Sequence, residues 1–301
     1  WVLGCLLSLV VFGFGVVMVV VMGLSSIENT PSQDQLVEIE LEPVPQSTGK
    51  IAVIKLLGVI SSEPPNGGLT GYALKALKRA TEDTSVRVIV LEIDSPGGGV
   101  TDSDRIHHAV EKAKKAGKKV YAFFGNLCAS GGYYIAVAAN EIWSRPTSIT
   151  GSIGVIVPSF SAQGLLEKLG VVDQSVSSGN NKQILGVTKN MNPEQTALVQ
   201  GVVDAMYERF VALVAGGRGL SENVVKPLAD GRLFSAQQAL DADLIDKIGY
   251  RDELLAAIRS EHETPLTLVR YQGQQSLIEM IVGSQVQIVL NRMLGTKVMS
   301  P

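Results

Sequence analysis

An α/β fold with a mainly parallel sheet is predicted by three observations. From residue 51 onward, apolar runs of strand length alternate with segments of helical periodicity, those runs are apolar on both faces, and glycine-rich turns follow two of them. Strands apolar on both faces are covered by helices from both sides, which is the arrangement that parallel βα units build.

The chain opens differently. Residues 1–24 carry no charged side chain and are dominated by Val, Leu, Phe, Met and Gly. Such a run exceeds the roughly 18 to 20 apolar residues that cross a bilayer as a helix, and it outlasts the ~7 to 15-residue core of a cleaved signal. A transmembrane helix is expected there. Residues 25–49 then turn polar, with Pro31, Pro43 and Pro45 and the acids Glu28, Asp34, Glu38, Glu40 and Glu42 ahead of Lys50. This is the composition of an acidic linker, although the alternation over residues 36–42 fits a short strand equally well.

Residues 50–271 form the expected globular domain. Strands are predicted over residues 51–60, 87–93, 119–124 and 141–144, and helices over 69–82, 103–116 and 131–139. Beyond Ser161 the pattern is mostly helical. A long helix is predicted over 192–217, where Asn192 supplies a cap and Pro193 a first-turn residue, with shorter ones over 222–228, 235–240 and 251–261. Residues 272–301 place Val286, Val289, Leu290, Met293 and Leu294 at helical spacing, an amphipathic tail suited to packing or to contact between copies, with a membrane-surface anchor as the alternative.

Composition removes several function classes. The net charge is −3, no block of Lys and Arg stands out and aromatics make up 5% of the chain, so no nucleic-acid partner is expected. Cys5 lies in the apolar run and Cys128 far from it, which leaves neither a disulfide framework nor a zinc site, and no metal or cofactor is expected.

Candidate chemistry centres on Ser130, in Ala129-Ser130-Gly131-Gly132, between a predicted strand and a predicted helix. Backbone N–H groups at such a junction favour developing negative charge. Taken alone, the motif is an ordinary helix cap. Asp94-Ser95-Pro96-Gly97-Gly98-Gly99 follows another strand, and Gly97 or Gly98 could direct an N–H at a carbonyl oxygen; the run lacks the lysine of a phosphate loop. The only histidines are His107, His108 and His262, none of them between Ser130 and Lys182. A serine nucleophile here therefore needs another base, and Lys182, in Ser178-Gly179-Asn180-Asn181-Lys182, is the candidate. Such a lysine must be neutral, which calls for burial against apolar groups without an ion-pair partner. A surface lysine in a polar loop is the plainer reading. Ser152, in Thr150-Gly151-Ser152-Ile153-Gly154, could hold the lysine amine or serve as a turn hydroxyl, and Cys128 reads as an apolar neighbour.

The ordered set Asp-Ser-Pro-Gly-Gly-Gly-Val, Ala-Ser-Gly-Gly-Tyr-Tyr, Thr-Gly-Ser-Ile-Gly-Val and Ser-Gly-Asn-Asn-Lys resembles the signal peptide peptidase A family in its short, membrane-anchored bacterial form. The resemblance covers residues 51–255. It implies a Clp protease/crotonase-like spiral of ββα units and a serine endopeptidase that degrades remnant signal peptides. Ser130 matches the nucleophile, Lys182 the general base and Ser152 the serine that orients the lysine, with the N–H of Gly131 and one from Gly97 or Gly98 as the oxyanion hole. It further implies a homo-oligomeric ring in which serine and lysine can come from neighbouring subunits, and an inner-membrane anchor with the catalytic domain outside the cytoplasm. A membrane scaffold that keeps the fold without activity is the alternative.

Overall fold

Strand β3 (Val86–Ser95) buries seven of its ten residues, four of them in an unbroken run from Val88 to Leu91, and it lies in the middle of the sheet. The computed structural model describes residues 36–63, 67–262 and 264–273. The expected membrane span, the first part of the linker and residues 274–301 of the tail lie outside them. Among the described residues, no helix is long and apolar enough to cross a membrane. Nearly all of the described residues belong to one unit, Glu38–Tyr271.

The described chain runs β1 (Leu36–Glu42), β2 (Gly49–Leu57), α1 (Gly68–Glu82), β3, α2 (Val100–Lys115), β4 (Lys119–Ala129), α3 (Gly131–Ala136), β5 (Glu141–Ser144) and β6 (Ile149–Gly151). It continues through α4 (Gln163–Lys168), α5 (Pro193–Arg218), α6 (Glu222–Val225), β7 (Leu233–Ser235), α7 (Ala236–Asp241), β8 (Lys247–Ile248), α8 (Arg251–Ser260) and β9 (Leu266–Gly273). The sheet order is β1-β9-β2-β3-β4-β5-β8. Pairs β9/β2, β2/β3, β3/β4, β4/β5 and β5/β8 are parallel, as runs apolar on both faces require. The α/β class expected from the alternation is the one observed.

Two helices show how sequence sets the packing. On α2, Ser103, Ile106, His107, Val110 and Ala113 form one buried stripe at helical spacing. At the head of α5, Asn192 Oδ1 accepts the N–H of Gln195 at 2.8 Å and Gln195 Oε1 accepts the N–H of Asn192 at 3.1 Å, a reciprocal cap with Pro193 in the first turn.

Several boundaries depart from the sequence expectation. Strand β2 stops at Leu57, and Ile60 instead makes a separate parallel bridge to Gly98. Strand β4 runs past Phe124 to Ala129 through a bulge: Ile93 faces Phe124 and Ser95 faces Cys128, so Asp94 alone stands opposite Gly125, Asn126 and Leu127. Residues 36–42 form a strand, one of the two readings open to them, and it lies beside β9. The short β6/β7 antiparallel pair was not anticipated.

Candidate active site

The bulge in β4 delivers Ser130 to the cavity. Past it, β4 pairs with β6, and Ser130 donates its N–H to Gly151 O at 2.8 Å while its own carbonyl accepts Tyr134 N at 2.9 Å. The chain thus turns from strand to helix on one residue. Ser130 takes φ 51° and ψ −119°, a conformation that costs a non-glycine residue about 1–3 kcal/mol and is kept only where surroundings impose it. Ser152, just beyond β6, also has a positive φ, 50°, and donates its N–H to Arg232 O at 2.8 Å.

Both serines line one open cavity of about 580 Å³. Its walls are the extended Gly154-Val155-Ile156 segment, the Ala229-Asp230-Gly231 turn, and Gln200, Val203, Asp204 and Tyr207 from α5. The glycine loop packs against Ser130. Gly97 has φ +104°, and a Cβ there would lie 2.8 Å from both Gly131 N and Ser130 Cβ. Gly98 has no room for a Cβ either, because it would collide with Ile60 O.

The hydrogen bonds of this loop separate the two glycines. Gly97 donates its N–H to Ser95 Oγ at 3.1 Å and accepts from Ile60 N at 2.9 Å, while Gly99 donates to Ile60 O at 2.9 Å. In a parallel bridge the residue between those two turns its own N–H away from Ile60. Gly98 N–H and Gly131 N–H have no protein acceptor among the described residues, and the Cβ position of Gly131 lies 3.2 Å from Gly98 N. Two adjacent donors are therefore free beside Ser130.

Lys182 is placed apart. It is exposed in a turn in which its N–H donates to Gly179 O at 3.1 Å, and it is not among the residues lining the Ser130 cavity. The turn is tied to α5, whose Gln195 Nε2 donates to Asn180 O at 3.0 Å. A single chain thus gathers Ser130, Ser152, Gly97, Gly98 and Gly131 and leaves Lys182 outside. Cys128 is buried next to the site, and burial, with the nearby Asp94 charge, pushes its thiol well above the ordinary range, so it stays a protonated packing group.

Two further side chains matter to this geometry. Asp94 accepts the N–H of Asn126 at 3.0 Å and of Leu127 at 3.2 Å, which fixes the bulge before Ser130. Gly125-Asn126 is a turn-type dipeptide inside an apolar run and was the available signal. Tyr207, on the cavity wall, carries no sequence signal of its own.

A serine in a strained strand-to-helix turn, beside two free amides on a parallel sheet, defines an α/β protein with a serine-hydrolase type of site. The chain belongs to peptidase family S49, whose sequence model matches residues 112–264. It is 40% identical over 201 residues to a candidate signal peptide peptidase SppA of Enterococcus faecium, covering 66% of this chain and 58% of that one. To the candidate protease slr0021 of Synechocystis it is 41% identical over 204 residues, covering 68% of this chain and 71% of that one. The chain thus spans just over half the length of the first relative. Among solved structures, a point mutant of ClpP1 from Listeria monocytogenes is similar over 67% of this chain and 94% of its own, at 20% identity and a TM-score of 0.46.

Proposed function

We propose that this chain is a membrane-anchored serine endopeptidase of the Clp protease/crotonase type, in which Ser130 is the nucleophile and Lys182 of a neighbouring copy is the base. The observation that carries the reading is Ser130 itself, held in a strained turn over an open cavity beside the free N–H groups of Gly98 and Gly131. Ser130 Oγ attacks the peptide carbonyl carbon and gives its proton to Lys182 Nζ. The oxyanion accepts from Gly98 and Gly131. Collapse breaks the C–N bond and Lys182 gives the proton to the leaving amine; the neutral lysine amine then deprotonates a water, which attacks the acyl carbon, and the proton passes from Lys182 to Ser130 Oγ as the C–O bond to the acyl group breaks. Ser152, on the same cavity wall, orients the entering amine.

Supply of the lysine by another copy is supported by the segment of chain between Ser152 and Lys182. Within it Ile156, Phe160, Val172 and Val176 are 80%, 82%, 75% and 98% exposed, apolar side chains that a single chain leaves uncovered. A second copy packed there gives a ring, and a neighbour's Lys182 can then enter the cavity and lose its water. Extended peptides with small or apolar residues, remnant signal peptides first among them, are the substrates, and residues 1–24 anchor the protein in the inner membrane with the domain outside the cytoplasm. Labelling with a serine-directed fluorophosphonate tests the activity. Modification mapped to Ser130, lost in Ser130→Ala, is the expected result, and labelling elsewhere or none contradicts it.

A further inference from the structure

Helix α5 joins the two halves of the proposed site, because its inner side lines the Ser130 cavity and its first turn holds the Lys182 loop. Only Phe210, Val211, Val214 and Ala215 of its residues are buried, so the helix is seated by its C-terminal part and residues 193–209 stand clear of the core. Close seating of that end is imposed by Gly217, where a Cβ would collide with Val137 O.

One polar contact sits at the point where the helix leaves the core. Arg209 donates to Asp104 Oδ1 of α2 from Nε at 2.9 Å and from Nη2 at 2.5 Å, and Tyr134 Oη of α3 donates to the same oxygen at 2.7 Å. The Tyr134 ring is buried, 4.8 Å from Phe210 and edge-on to His107 at 5.6 Å. Tyr134 also reaches back to the nucleophile through its N–H to Ser130 O. Asp104 therefore ties α5 to the short helix that begins beside Ser130.

We propose that Asp104 and Arg209 are positioning residues for the lysine: their ion pair, seated on Tyr134, sets the direction in which residues 193–209 project and hence where the Lys182 loop is presented to the neighbouring copy. This rests on the Ser130 and Lys182 reading above. An ion pair this exposed contributes little to global stability, so its loss acts on geometry more than on folding. Lever length amplifies the effect, since residues 193–209 span about 25 Å of helix at about 1.5 Å per residue.

The test compares full-length Lys182→Ala, Asp104→Ala, Arg209→Ala and the exchanged pair Asp104→Arg/Arg209→Asp, reading kcat, KM, Tm and subunit number. Arg209→Ala leaves the Tyr134 to Asp104 bond in place and provides a folded variant should Asp104→Ala be unstable. We expect kcat to fall about ten- to a hundredfold in Asp104→Ala and Arg209→Ala with KM, Tm and subunit number held. Tyr134 Oη can donate or accept, so the exchanged pair regains most of the lost kcat. Lys182→Ala inactive with both single variants within twofold of the parent overturns the positioning role alone. Turnover retained by Lys182→Ala overturns the reading beneath it.

Discussion

Asp94 accepts the backbone N–H of Asn126 at 3.0 Å, and by also accepting that of Leu127 it stands in for the strand partner that the β4 bulge removes. On the other side of β4, Ser148 Oγ donates to Gly125 O at 2.5 Å and Thr150 Oγ1 to Cys128 O at 2.6 Å. Ser130 follows within a few residues of all these contacts.

Truncating Asp94 leaves two N–H groups without their acceptor. Asp94→Ala is expected to lower stability by about 1 to 3 kcal/mol and to slow fluorophosphonate labelling of Ser130 more than Asp94→Asn does, since the amide oxygen still accepts one bond. Denaturant unfolding alongside labelling rates checks this, and equal labelling rates in the two variants would count against the bulge as the device that aims Ser130.

The glycine loop gives a second prediction. Gly97→Ala forces a Cβ onto a backbone at φ +104° and against Gly131 N, and Gly98→Ala forces one onto Ile60 O. Gly97→Ala is expected to cost about 1 to 3 kcal/mol through backbone strain, Gly98→Ala to lose stability through the collision with Ile60, and both to abolish labelling. Gly117→Ala is the control for strain alone, because it too has a positive φ, +86°, but open space around it. It should lose stability and keep labelling.

A pH dependence follows from the far end of the sheet. Burial opposes ionisation of Asp83, yet Ser85 Oγ at 2.6 Å, Ser85 N at 2.8 Å and Lys50 Nζ at 3.1 Å hold its carboxyl down, from 3.8 to about 2. As pH falls, the unfolded chain takes up this proton first. The contribution of Asp83 is thus lost progressively as pH falls through 3.8 and is gone below about 2. Unfolding free energies of the parent and Asp83→Asn are expected to differ by a constant amount above about pH 5 and to converge towards about pH 2.

How much of this was legible in the sequence depended on how local each cause is. Strands β2 and β3 were legible because both of their faces are apolar, and the start of α5 because Asn192, Pro193 and Gln195 make their cap within one turn. Ser130 was legible as a strand-to-helix junction. The continuation of β4 was not, because its bulge is held by Asp94, far away in the chain, and β6 and β7 are too short for alternation to register. Gly97 and Gly98 could not be separated by sequence. Their difference lies in a hydrogen bond to Ser95 Oγ and a bridge to Ile60. The surroundings of Lys182 are less legible still, since in the proposed assembly another copy supplies them.

The central claim is that one copy's Ser130 is served by another copy's Lys182, and subunit mixing tests it most directly. Ser130→Ala and Lys182→Ala, each inactive alone, are co-expressed in equal amounts, co-purified through two different tags and assayed for peptide hydrolysis. In a ring whose sites form between adjacent copies, about a quarter of the sites in a random mixture unite an intact serine with an intact lysine, so about a quarter of parental activity should return. Mixed assemblies that form and stay inactive would contradict the account and return both residues to a single chain.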